Sequence, residues 1–314
     1  MNHHRPEGGP VAVVVAATDA CRNLDRTLAR FAAEAGPLGE VILVDASGSD
    51  AAEAIVGRLA NVRRLCRPAG RLAPVLWRDG LRATDAPLVA FSTAQMLPDP
   101  GWLASLGAGL AAEGVAGVGG PIAPGDRLSA TGRAVALLRY SNYFPPLPDL
   151  GRVDPPGDNA LYRRDRLREV ESAWADGFWE VDVHRALRDR GDRLAMAPGA
   201  VVAFQGGVPL ATLARQRFEH ARRYGAGRSR GLSRRARLVR VASAPMVPPL
   251  LGARIAAALR ARGMGPLPWL PSLPSLAVLA SAWAIGEAAG TWPVGADGPR
   301  RPDRVEQTCE RANR

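Results

Sequence analysis

The sequence contains no lysine. All 41 basic residues are arginine, set against 30 acidic ones, and the formal net charge is +11 over 314 residues. So uniform a choice reflects composition bias as much as function, so the placement of the arginines matters more than their number. Cysteine is also scarce. Cys21, Cys66 and Cys309 are odd in number and far apart, which excludes a disulfide framework and zinc-ligand spacing; free thiols in a reducing compartment are expected. Residues 1–10 have no apolar core of signal-peptide length, so export is not expected. The turn after the first apolar run, Thr18-Asp19-Ala20, has no glycine, and no P-loop occurs anywhere. Neither of the common glycine-rich phosphate cradles is therefore available. Aromatics are sparse around the densest arginine stretch, Arg215 to Arg240, and no nucleic-acid-binding motif accompanies it. Such a cluster suits phosphate or an anionic lipid surface better than nucleic acid, and no nucleic-acid partner is expected.

What is present is an alternation of apolar strands and helices. Val11 to Ala17 reads as a buried strand, Asn23 to Glu34 has helical spacing, and Glu40-Val41-Ile42-Leu43-Val44-Asp45 is a second buried strand. Ala51 to Leu59 and Val62 to Cys66 continue the β-α-β-α-β order of a parallel sheet. Ligands of open α/β sheets bind outside the carboxyl ends of the strands. Asp45 falls at that edge, followed by a Ser47-Gly48-Ser49-Asp50 turn in which Asp50 is expected to cap the next helix. A helix over 71–84 and a fourth strand, Leu88 to Phe91, follow, with Thr93-Ala94-Gln95 at the strand's carboxyl end. Val115 to Ile122 is a glycine-rich strand, 127–143 a helix, and Leu194 to Phe204 a strand pair around Pro198.

Beyond Leu210 the chain turns basic, then rich in proline and alanine. Gly265 to Gly286 holds no charged residue over 22 positions, but Pro266, Pro268, Pro271 and Pro274 leave only its second half as clean helix. Val241–Ala258 and Pro268–Ala289 are expected to lie in or dip into a bilayer surface; the plain alternative is an ordinary core or dimer face.

The order of several motifs resembles the family 2 glycosyltransferases of GT-A fold. They are Val44-Asp45 with its turn, a fourth strand before Pro98-Asp99-Pro100-Gly101-Trp102, Gly157-Asp158-Asn159-Ala160-Leu161-Tyr162-Arg163-Arg164, and Phe178-Trp179-Glu180-Val181-Asp182. The resemblance implies an α/β, Rossmann-like, mostly parallel sheet flanked by helices, with a C-terminal helical membrane-associated region. The expected division is a disordered 1–9, a glycosyltransferase domain over 10–225, a basic and apolar helical region over 226–295, and a disordered tail over 296–314. The implied activity is inverting transfer of a sugar, hexosyl-like, from a nucleotide-diphosphate donor to a hydroxyl of a cell-envelope or lipid-linked acceptor. The implied location is the cytoplasmic face of a bacterial inner membrane, peripheral or monotopic, with an anionic membrane surface as partner.

Residue by residue, Asp45 matches the carboxylate that accepts from the donor's uracil or ribose. Glu180 matches the catalytic base, with Asp182 as second candidate; both also suit the first turn of a helix dipole. Glu180 and His184 share a helix face, which is read as an ordinary side-chain pair. Asp158, Asn159, Arg163 and Arg164 match the segment lining donor and acceptor. Gln216, Arg217 and His220 fall on a basic helix that closes over the donor in related enzymes. Arg78, in Trp77-Arg78-Asp79-Gly80, is a candidate for phosphate charge. The family's Asp-x-Asp, which holds a Mg or Mn ion on the diphosphate, is replaced here by Thr93-Ala94-Gln95. Threonine and glutamine are poor ligands for a hard cation in place of carboxylates. That departure sustains a second expectation: a non-catalytic nucleotide-sugar-binding or membrane scaffold protein built on the same fold.

Overall fold

The computed structural model describes residues 10–21, 23–147 and 154–292. In chain order the elements begin β1 (Val11–Ala17), α1 (Leu24–Ala35), β2 (Glu40–Asp45), α2 (Ala51–Val56), β3 (Val62–Cys66), α3 (Ala73–Arg82), β4 (Leu88–Thr93), β5 (Met96–Pro98) and α4 (Trp102–Leu110). Next come β6 (Val115–Gly119), β7 (Ile122–Pro124), α5 (Ala130–Val135), β8 (Asn159–Arg163), α6 (Arg164–Glu169), α7 (Glu171–Trp174) and α8 (Glu180–Asp189). The last are β9 (Arg193–Met196), β10 (Val202–Phe204), α9 (Leu210–Arg228), α10 (Arg234–Ala242), α11 (Val247–Arg260) and α12 (Leu273–Thr291). They form two compact units. Of the described residues, the first holds those up to Asp126 together with those of Tyr143–Gln205, and the second holds Arg127–Asn142 and those from Gly206 to Trp292.

The first unit is built on a seven-stranded sheet of order β3-β2-β1-β4-β8-β6-β9. Its pairs are parallel except at β8, which runs against both β4 and β6. Every residue of β1 is buried, as expected of a parallel strand covered on both faces and therefore apolar throughout. Helix α3 lies close on this sheet because of Gly80: a Cβ there would stand 2.2 Å from Val14 Cγ1. Trp77 on the same helix donates its indole N–H to the Ser92 carbonyl at 2.8 Å. Phe91 packs between Trp77, Tyr162 and Phe178, its ring centroid 4.5 Å from that of Phe178. This aromatic cluster ties α3, β4, β8 and the start of α8 together beneath the edge where the candidate residues collect.

Three sequence expectations are corrected. The expected strand over 115–122 is two strands, broken at Gly120, where a Cβ would come within 1.9 Å of the Ala200 carbonyl oxygen. The expected pair over 194–204 is split: β9 completes the large sheet, while β10 joins β5 and β7 in a small second sheet. Asp50 precedes α2 but makes no side-chain capping bond; Ser49 Oγ accepts from the Ala51 N–H at 3.3 Å instead.

In the second unit α9 and α12 come close at two glycines of α12. A Cβ on Gly286 would lie 2.4 Å from the Phe218 carbonyl oxygen, and one on Gly290 only 1.9 Å from that of Arg222. Small residues one turn apart let two helix backbones approach closely. Beside this seam, Trp283 is covered by the Arg217 guanidinium, 4.4 Å from its ring centroid, and flanked by the His220 and Tyr224 rings. Two stretches, Arg234–Arg260 and Leu267–Thr291, are long and apolar enough by length and composition to cross a membrane.

Candidate active site

Strand register sets the candidate residues along one edge of the large sheet. Asp45 pairs with Ala17 and Thr93 with Ala16, so both stand at the carboxyl end of their strands on either side of β1. Two strand spacings separate them, about 10 Å of backbone. Asn159, at the start of antiparallel β8, pairs with Ser92 and so brings Asp158 to the same edge. The Ser92 hydroxyl donates to the Asp158 carbonyl at 2.9 Å and holds that entry in place.

Glu180 is the first residue of α8 and reaches this group. The Gly157 N–H donates to its Oε1 at 3.2 Å. The fit is tight: a Cβ on Gly157 would stand 2.5 Å from Glu180 Oε1 and 2.7 Å from Trp77 Cζ3. Burial raises the Tyr143 phenol above its ordinary pKa, and the nearby carboxylates of Glu180, Asp154 and Asp158 raise it further. Tyr143 thus feels the charge of three carboxylates near the point where β8 enters the sheet. Asp182 does not join them. Residues two apart do not share a helix face, and Asp182 is exposed and bonded to Arg185 at 3.5 Å.

One turn along α8, His184 is 1% exposed and wired to both sides. Its Nε2 lies 2.7 Å from the Tyr162 hydroxyl, and its Nδ1 faces Asp154 at 3.9 Å. Arg188 closes the chain on the far side of Asp154. His184 foremost, then Arg188, hold the Asp154 carboxyl well below the usual range. This Tyr162–His184–Asp154–Arg188 chain fixes α8 against β8 and against the segment leading to Asp158. A pair of residues sharing a face is all the sequence offered; the partners lie 22 and 30 positions away from His184, and no local spacing announces them.

Asp45 is closed in. It is 1% exposed, its Oδ1 accepts from the Ser47 N–H at 2.9 Å, and its Oδ2 accepts from Arg64 at 2.9 and 2.7 Å. Arg64 also meets Glu53 and the Ser49 carbonyl. Next to this pair, Asp79 holds both Arg67, at 2.6 Å, and Arg78, at 2.5 Å. Arg64 was missed by sequence reasoning. The available signal was Arg63-Arg64 inside a strand: adjacent strand residues face opposite sides, so one guanidinium had to turn toward the sheet's face.

No family model and no curated protein matches the chain. Among solved structures, the mannosyltransferase PcManGT from Pyrobaculum calidifontis, in complex with GDP-Man and Mn2+, aligns over 91% of this chain and 87% of its own, at 19% identity and a TM-score of 0.50. Glucosyl-3-phosphoglycerate synthase from Mycobacterium tuberculosis, in complex with phosphoglyceric acid, aligns over 68% of this chain and 78% of its own, at 22% identity and a TM-score of 0.48. The fold is of the GT-A type.

In this GT-A fold the slot that the resemblance assigns to Asp-x-Asp runs from the end of β4 to the start of the small sheet. Thr93 is the last residue of β4, and its buried Oγ1 has no hydrogen-bond partner. The Gln95 carbonyl accepts from the Gln205 N–H at 2.8 Å where the small sheet begins. A hydroxyl and an amide are neutral donors, and among the described residues no group of three or more His, Cys, Asp or Glu is placed to hold an ion. The slot does not fit the divalent metal that the resemblance implies.

Three other expected donor contacts serve the GT-A scaffold. Asn159 is fully buried; its amide donates to the Pro121 and Ala200 carbonyls, and its carbonyl accepts from the Trp102 indole N–H at 2.7 Å. Because β8 is antiparallel, Arg163 pairs with Leu88, at the opposite end of β4 from Thr93. Four residue steps put it about 13 Å from Asn159. Arg163 donates to the Val115 and Leu110 carbonyls, and Arg164 to those of Leu81 and Thr84. Both are spent on the amino end of the sheet and cannot meet a ligand at the carboxyl edge.

Gln216, Arg217 and His220 lie on α9 in the second unit. Burial, then the charges of Arg139, Arg217 and Arg223, push His220 down to about 4. It is a neutral imidazole at pH 7 and offers no positive charge to a phosphate. Burial beside Arg139 pushes Arg217 down to about 10, which leaves it charged.

Proposed function

We propose that this protein is an inverting glycosyltransferase. It moves a sugar, hexosyl in class, from a nucleotide-diphosphate donor to a hydroxyl of a cell-envelope or lipid-linked acceptor. The observation that carries this is Glu180: a carboxylate on the first turn of a rigid helix, held by the Gly157 N–H beside Asp158 at the carboxyl edge. In the reaction, the acceptor oxygen forms its bond to the anomeric carbon while the bond to the diphosphate oxygen breaks. Glu180 takes the acceptor's proton. The GDP-Man bound by the Pyrobaculum mannosyltransferase supports a nucleotide-diphosphate donor. The second unit, with its arginines and exposed apolar residues, supports work at the cytoplasmic face of a bacterial inner membrane, peripheral or monotopic. Glu180→Gln tests the assignment: transfer should be lost while nucleotide binding, read by calorimetry, is kept. Undiminished turnover removes Glu180 from the role.

A second reading, a non-catalytic nucleotide-sugar-binding protein, is favoured by two observations. The Asp-x-Asp slot is neutral, and the arginines at the β2–β3 end are already matched: Arg64, Arg67 and Arg78 stand against Asp45, Glu53 and Asp79. Matched in this way, these three arginines add no net charge to stabilise a departing diphosphate. Binding without hydrolysis or transfer across a broad donor panel selects this reading.

A further inference from the structure

Exposed large apolar side chains are unevenly distributed. Among the described residues outside the stretch from Leu238 to Trp292 they are only Leu38, Val181 and Tyr224. Within it they include Leu238, Val239, Met246, Leu250, Leu270 and Ile285. Helix α10 buries none of its residues. It presents Leu238 at 52% and Val239 at 64% exposure, with Arg234 and Arg235 also exposed. Ser233, Arg235, Ala236, Val239, Arg240 and Ser243 line an open groove of about 490 Å3 along it. Its residues thus combine two guanidinium groups and two hydroxyls with an apolar side chain. This combination suits a lipid phosphate with its acyl chains alongside.

The geometry also opposes spanning. The Arg234–Arg260 stretch is not one helix: α10 has 9 residues and α11 has 14, with a 3-10 turn at Ala244–Met246 between them. At 1.5 Å per residue these are about 14 and 21 Å long, against a hydrocarbon core of about 30 Å. Helix α12 has 19 residues, which is closer, but its Gly286 and Gly290 are seated directly on α9. Taking α12 through the bilayer would draw Arg215, Arg217, Arg222, Arg223 and Arg228 of α9 toward the hydrocarbon, where charge is costly.

We propose that α10 and the start of α11 form a peripheral docking surface for an anionic phospholipid bilayer. The groove at Arg235 and Arg240 receives a lipid phosphate, and Leu238, Val239, Met246 and Leu250 enter the acyl boundary. The proposal refines the membrane location given above and is independent of whether Glu180 transfers a sugar. The test is flotation of the full chain with vesicles of phosphatidylcholine alone and of phosphatidylcholine with phosphatidylglycerol at about 3:1, at low and high salt. Binding should require phosphatidylglycerol and fall steeply at about 0.5 M NaCl. Arg234→Gln with Arg235→Gln should weaken it about 25-fold, at roughly 5-fold per arginine. Leu238→Ser with Leu250→Ser should weaken it at both salt concentrations, and alkaline carbonate should release the protein from membranes of expressing cells. Four results overturn the proposal: equal flotation on phosphatidylcholine alone, retention after carbonate, no flotation at all, or self-association abolished by the leucine variants without vesicle binding. The second means integral insertion, and the last means that the face joins two copies of the chain.

Discussion

The half-buried imidazole of His220 makes the stability of the second unit depend on pH in a calculable way. Its pKa is pushed from 6.5 down to about 4. Between those values the unfolded chain binds a proton that the folded one refuses, so stability is present above about 6.5 and lost as pH falls toward 4. The shift of roughly 2.5 units, at about 1.4 kcal/mol per unit, sets a ceiling of about 3.5 kcal/mol; between pH 7 and about pH 4.5 about 2.5 kcal/mol of it is lost. Asp154, whose pKa is lowered, acts in the same direction but only at lower pH, below the ordinary carboxylate range. The perturbation is His220→Phe, which keeps a ring beside Trp283 and removes the titration. Urea unfolding followed by tryptophan fluorescence at the two pH values gives the loss for each protein. The variant's loss should be smaller by about 2.5 kcal/mol, and this difference is insensitive to any constant cost of the substitution. Equal losses would refute the reasoning, because they mean that His220 takes up its proton while folded.

Gly157→Ala should lower activity at least tenfold with little loss of secondary structure by circular dichroism, because the new methyl displaces the Glu180 carboxylate or the Trp77 ring. Asp45→Asn removes a charged acceptor from Arg64 and should cost about 1.5–3 kcal/mol in urea unfolding; weaker nucleotide binding at unchanged stability would instead make Asp45 a ligand contact. Gly290→Ala puts a methyl into the Arg222 carbonyl and should cost about 1–3 kcal/mol by overpacking the α9–α12 seam. An unchanged unfolding midpoint would mean that the seam opens freely.

The sheet's first half was legible because its strands are continuous apolar runs closed by turn residues, a pattern that survives any tertiary context. Asp45, Asp158 and Glu180 were legible as carboxylates at strand and helix ends. The direction of β8 was not. Alternation along a strand gives its faces but not its polarity, and that polarity decides that Asp158 belongs to the carboxyl edge while Arg163 and Arg164 belong to the other end. The second sheet escaped because its strands have three residues each, too few to show a period. The partners of Asp45 and His184 escaped for another reason. Arg64 and Tyr162 reach them across neighbouring elements, through contacts that no single segment encodes.

The reversal of β8 has a further consequence for how this scaffold varies. In a parallel strand, the loop that shapes the ligand edge leaves the strand's end; in β8 it is the approach, Asp154 to Asp158, that does so. Changes of length or chemistry upstream of β8 therefore alter the edge while the strand's exit, anchored by Arg163 and Arg164 to four backbone carbonyls, stays put. Whatever ligand this edge takes, its fit should respond first to changes in the segment ahead of β8.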